Sequence, residues 1–202
     1  MQTQAPPLPA KDHGGRARRP WPLAVRWLLS GLAFPPAGAL AIAAVSAVDG
    51  PGPALVGGSI AGAGIGVGQW LALRPLPGAD AQLRNRWIAG TASAMALGLA
   101  IGASLVGYRT GTADLVAMGL VTGAILGPAQ AAVASAAGVL DRRPAAVWAA
   151  LVPALWAIGW WITASAGIDV DRQYAVFGLS GAVTTSAVGG LFLARLVRRS
   201  NP

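Results

Sequence analysis

Apolar residues in this chain come in long runs separated by short stretches of breakers. Six runs stand at 24–48, 53–73, 87–107, 115–139, 146–167 and 175–196. At about 1.5 Å per helical residue, each is long enough to cross a hydrocarbon layer of about 30 Å. Asp49-Gly50-Pro51-Gly52-Pro53 ends the first run and Arg74-Pro75-Leu76-Pro77-Gly78 the second, both strong helix-stopping sequences. Connections this short make antiparallel hairpins of consecutive runs. The pattern predicts an all-α membrane protein with six transmembrane helices, built as three hairpins over about 24–73, 87–139 and 146–196. Residues 1–20 are rich in Pro, Ala and Arg with no apolar period, and read as a disordered basic tail ahead of a transmembrane domain at 21–199. The first run exceeds the usual apolar core of a cleaved leader and matches later runs, so it is expected to be retained.

The runs repeat. A shift of 61 positions carries Gly58, Gly62, Gly66 and Gln69 onto Gly119, Gly123, Gly127 and Gln130. In the last run Gly181 and Gly189 fit this ladder, with Thr185 and Phe192 in place of the middle glycine and the glutamine. The odd-numbered runs align on Trp27, Trp87 and Trp148, each followed eleven positions later by Gly38, Gly98 or Gly159. At about 100° per residue the four ladder residues fall within a quarter of the helix circumference, so they form one stripe. Small residues at such spacing let two helices approach closely in lipid. The two full ladders together with Gly38, Gly98 and Gly159 are therefore candidate helix-packing residues, each glutamine capping its ladder with an interhelical bond, and Gly64 is expected to lie off the stripe. A two-helix unit inserts the same way up every time, which predicts repeats related by an axis along the membrane normal.

Composition strengthens the membrane reading. The chain is 54% hydrophobic and 11% charged with 28 glycines, and its mean hydropathy is +0.57. A soluble surface needs about twice that charge fraction. The net charge of +8 would point to nucleic acid in a soluble protein. Here thirteen of the fifteen Lys and Arg fall in the tail and alternate loops, leaving only Arg109 and Arg172 for the other side. By the positive-inside rule both termini are expected to be cytoplasmic, in a plasma membrane. The expected partners are the bilayer and its anionic lipid headgroups, with no nucleic acid; a homo-oligomer or another membrane protein is left open.

Candidate chemistry is sparse. Cysteine and glutamate are absent, the one histidine (His13) lies in the tail, and every aspartate sits at a run end, in a loop or in the tail. No catalytic, cofactor-binding or metal residue is expected, and the run interiors hold none of the ionisable groups that mark proton pathways. Gly57–Gly68 has neither G-x-G-x-x-G nor a following Lys and is no phosphate loop. The interior polar set is Gln69, Gln130, Thr91, Ser93, Ser104, Thr122, Ser135, Thr163, Ser165 and Thr184-Thr185-Ser186. Such hydroxyls usually bond back to the carbonyl one turn earlier. Trp160 and Trp161 are expected at the outer interface. Pro35-Pro36, Pro128 and Pro153 remove backbone donors and are candidate kinks.

The exit Gly66, Gln69, Trp70, Leu71, Leu73 and Arg74, written G-x-x-Q-W-L-x-L-R, resembles a loose group of uncharacterised bacterial multi-pass membrane proteins in which such exits alternate with Trp-led spans. The resemblance implies a membrane bundle and carries over no functional residue. The function expected is that of a non-enzymatic membrane scaffold or accessory protein; the alternative is a passive channel or facilitator for a small neutral solute. The expected topology is checked by single cysteines. Those at Gly50, Gly111 and Gly167 should label with an impermeant thiol reagent from outside, and those at Gly14, Ala79, Pro144 and Asn201 should not; the opposite pattern reverses the orientation.

Overall fold

A computed structural model describes residues 21–168, 170 and 175–200. The expected tail at 1–20, with His13, lies outside these residues. The described chain is helical: α1 (Leu23–Ser30), a single 3-10 turn (Gly31–Ala33), α2 (Phe34–Val45), α3 (Pro51–Leu73), α4 (Ala81–Leu105), α5 (Thr112–Ala136), α6 (Arg142–Ser165) and α7 (Leu179–Ser200). Counting α1 and α2 as one span, six helices of 22 to 25 residues are long and apolar enough to cross a membrane. The protein is an all-α, six-span membrane-type bundle.

Local chemistry sets the ends. Pro35 and Pro36 cannot donate to the carbonyls of Gly31 and Leu32. The Phe34 N–H serves the Gly31 carbonyl instead, which tightens the chain into the 3-10 turn between α1 and α2. Helix α4 begins six residues before the apolar run at Trp87, because the Asp80 carboxylate accepts the Leu83 N–H at 2.7 Å and caps a polar first turn. Helix α5 closes with Gly138 at φ +69°. Val139 N–H returns to the Ala134 carbonyl at 2.9 Å and Gly138 N–H to Ser135 at 3.1 Å, a Schellman stop that needs the left-handed residue. The last helix starts at Leu179, four residues later than its apolar run; residues 175–178 are not helical.

The spans close into a ring. Helix α3 packs between α1–α2 and α4, α5 between α4 and α6, and α7 between α6 and α1. Outward faces carry Leu40, Leu97, Leu105 and Leu191, all exposed, while Thr91, Thr122, Thr163 and Gln130 are buried. Large apolar residues outside and small or polar ones inside is the arrangement lipid favours, since lipid tails solvate leucine and cannot satisfy a hydroxyl or amide.

Glycines make the ring tight. A Cβ on Gly58 or Gly62 would lie 2.8 Å from the Cα of Ala96 or Ala92, and one on Gly66 would lie 3.1 Å from the Cα of Ile88, so this stripe lies against the α4 backbone. Gly119, Gly123 and Gly127 lie the same way on α6, at the Trp156 carbonyl, the Pro153 Cα and the Ala149 carbonyl. Each stripe thus faces the next hairpin. Gly98 fits against Thr122, and Gly159 against Thr185 and Phe177. Gly38 departs from this scheme: it meets the Val176 side chain in the segment before α7, because the 3-10 turn shifts the helical phase after Trp27.

The third hairpin sits one residue out of its sequence match. Thr122 touches Gly98 and Met118 touches Gly102, while in the last hairpin Thr185 touches Gly159 and Gly181 touches Thr163. On that register Ala182, Ser186, Gly190 and Leu193 take the places of Gly119, Gly123, Gly127 and Gln130. Gly31 meets the Ala182 carbonyl and the Ser186 side chain, and Gly190 meets Ala24 and Trp27, which puts this stripe on α1. Gly64 lies off the stripe, as expected, but is not roomy. A Cβ there would come within 2.7 Å of the Ala37 Cβ, so it packs on α2 rather than facing open space. Gly90 is the roomier position, with Val133 Cγ2 at 3.5 Å. Gly123→Ala is expected to cost about 1–3 kcal/mol by overpacking and to lower the thermal midpoint in detergent. Gly90→Ala should be neutral or slightly stabilising, and equal effects would show that the stripe does not set the helix separation.

Candidate functional site: an indole and amide cluster on the bundle axis

Trp27, Trp87 and Trp148 converge at one level of the bundle. Each lies near the start of its span, on a face turned inward by the apolar residues around it, and none is more than 3% exposed. The Trp27 ring meets Trp87 edge-on at 6.1 Å and Trp148 edge-on at 5.5 Å between centroids. Two glutamines join them. Trp87 Nε1 donates to Gln69 Oε1 at 3.2 Å, and Trp148 Nε1 donates to Gln130 Oε1 at 3.3 Å. Gln130 Nε2 donates to Gln69 Oε1 at 2.8 Å and to Thr91 Oγ1 at 3.3 Å.

The polarity of this chain follows from its ends. An indole N–H can only donate, so each must face an amide oxygen, and that turns the Gln130 amino group toward Gln69. Both donors and the acceptor of Gln130 are then used, and Gln69 Oε1 accepts twice. The two Trp–Gln pairs have the same spacing of 18 residues, and each joins one hairpin to the next. At the α7–α1 contact the matching residue is Leu193, so no amide stands opposite Trp27. A cavity of about 30 Å3 lies on the axis beside Trp27, lined in part by Trp27, Gln69, Gln130, Thr185 and Ser186. That is room for one water molecule with polar neighbours.

A second layer closes the axis farther along. Phe177, from the non-helical segment before α7, stacks on Phe34 at 5.1 Å and meets Trp156 edge-on at 4.9 Å and Trp160 at 5.9 Å. Trp160 is therefore buried against Phe177 and Gly119, contrary to its expected interfacial place, while Trp161 alone of the pair is exposed. Sequence reasoning missed Phe177 altogether, since it falls in what reads as the start of an apolar run. The buried threonines bond as helix hydroxyls do: Thr122 to the Met118 carbonyl, Thr163 to Gly159 and Thr185 to Gly181, at 2.8 to 2.9 Å. Thr163 Oγ1 also accepts the Gly178 N–H at 3.1 Å, tying the Phe177 segment to α6.

Of the candidate residues, Gln69 and Gln130 enter this cluster, and the glycines other than Gly38 form close contacts between helices. Among the described residues no group of three His, Cys, Asp or Glu side chains is placed to hold a metal ion. The one ion pair among them is Arg109–Asp114 at 2.8 Å, exposed at the end where α5 begins. Compared with known proteins, the chain matches no family model, no curated protein and no solved structure.

The cluster generates a stability test. Gln130→Leu strands the Trp148 N–H and removes the donor to Gln69, which should cost about 1–3 kcal/mol. Gln69→Leu should cost a similar amount. Because the two share a bond, the double variant should lose less than the sum in a thermal-denaturation cycle in detergent; strict additivity would mean that the amide–amide bond contributes nothing.

Proposed function

We propose that this protein is a non-catalytic membrane scaffold or accessory protein, set in the plasma membrane with both termini cytoplasmic and its basic face against anionic headgroups. The observation that carries the reading is the closed axis. Trp27, Trp87 and Trp148 fill it at one level, tied by Gln69 and Gln130, and Phe34, Trp156, Trp160 and Phe177 fill it at another. A helix ring whose interior is packed indoles and hydrogen-bonded amides is held rigid, and the cavity of about 30 Å3 on its axis has room for a single water rather than a path. Its outward face is left to make contacts within the bilayer. The three hairpins, read as copies of one unit, give such a body at little sequence cost.

The small polar cavity beside Trp27 favours one second reading, a passive facilitator for a small neutral solute, which would need the indole layer to part. Flux of glycerol and urea into proteoliposomes separates the two. The scaffold reading expects rates equal to protein-free liposomes, for the native chain and for Gln69→Leu alike. Flux above that background, abolished by Gln69→Leu in a variant that stays folded, would replace it with the facilitator.

A further inference from the structure

Arg26 is one turn inside α1, immediately before Trp27, and its side chain is only partly accessible. Its Nε and Nη1 atoms are covered and have no hydrogen-bond partner. The guanidinium stands at a lateral cleft of about 420 Å3 between α1, the 3-10 turn and α3, whose walls include Leu29, Leu32, Ala33 and Leu71. Among the described residues no Asp or Glu lines this cleft, and the one hydroxyl there, on Ser30, donates to the Trp27 carbonyl at 2.6 Å.

The shape follows from the local backbone. Gly68 lets Ala33 approach so closely that an added Cβ would lie 2.5 Å from the Ala33 Cβ. That contact brings the helices together beside the cleft. Leu29, Leu32 and Leu71 are all substantially exposed, so the cleft opens sideways to where lipid chains lie. Arg86 holds the matching place before Trp87, yet it is exposed on the surface. Only the first hairpin, bent by its 3-10 turn, folds this arginine into an apolar recess.

A partly accessible guanidinium with no protein partner at Nε or Nη1 calls for an anion, and it can meet a phosphate through paired N–H···O bonds once the side chain turns into the cleft. The recess beside it is apolar and faces the bilayer, so the anion should carry a hydrocarbon chain. We propose that this cleft binds one anionic phospholipid of the leaflet at the α1 entry, its phosphate on Arg26 and an acyl chain along Leu29, Leu32 and Leu71. The site deepens the scaffold reading, which places this end of the bundle at headgroup level. It is tested by lipid retention rather than by solute flux, so the two readings fail separately.

The test is native mass spectrometry of the full chain in detergent, titrated with phosphatidylglycerol, with phosphatidylcholine of the same acyl chains, and with inorganic phosphate. The native chain should retain one phosphatidylglycerol in preference to phosphatidylcholine and should not retain phosphate alone. Arg26→Gln should reduce that preference about tenfold, the loss of roughly one charge-assisted bond, while Arg86→Gln should leave it unchanged. Leu29→Trp, which narrows the cleft and keeps the charge, should lower retention of phosphatidylglycerol and decides the matter if Arg26→Gln fails to fold. Native retention in both Arg26→Gln and Leu29→Trp, or phosphate held as tightly as the lipid, would overturn the proposal.

Discussion

The Gln69–Gln130 hydrogen bond, with an indole donating into each amide, is the constraint on which the bundle axis depends. A glutamine facing lipid has no partner, and one facing a packed interior is costly unless every lone pair and N–H is met. Here Gln130 finds all its partners, and the Gln69 oxygen its two donors, only when α3, α4, α5 and α6 stand at one mutual register. Sliding any one of these helices by a turn breaks at least one bond of the chain. The cluster therefore does for the helices what turn geometry does for strands: it fixes which residue stands opposite which.

The glycine stripes supply the other half of that constraint. The amides can meet only if neighbouring backbones come together, and Gly58, Gly62, Gly66 and Gly119, Gly123, Gly127 permit this by leaving no Cβ at the contact. Dispersion and polar satisfaction thus act on the same interfaces. Where the amide is missing, at Leu193, the helix contacts differ as well: α7 meets the 3-10 turn through Ala182 and Ser186 and α1 through Gly190, and a small cavity remains at Trp27. The first hairpin deviates too, through the prolines that force its 3-10 turn. Its exposed recess at Arg26 is a consequence of that bend.

Lipid as a solvent explains why the chain tolerates so little chemistry inside. The bundle buries threonines that bond within their own helices and glutamines that bond across helices, and it keeps its described aspartates and arginines toward the span ends. Arg26 differs from the others in standing at an apolar recess, from which its long side chain reaches toward the headgroup level.

The sequence by itself determined the class of structure. Run length, loop breakers and the recurrence of Gly58–Gln69 at Gly119–Gln130 were enough to establish six helices and to place both glutamines on small-residue stripes, because these depend on helical period and solvent preference alone. What lies opposite each stripe depends on how hairpins pack, and only the tertiary structure decided it. The Trp–Gln spacing of 18 was visible twice in the sequence, yet it spans a loop and gains meaning only once two helices are side by side. The one-residue shift of the last hairpin, the tight seat of Gly64 on Ala37 and the insertion of Phe177 into the axis were hidden for the same reason. Helical phase and loop path accumulate along the chain, and a contact between distant residues is set by their sum rather than by any local pattern.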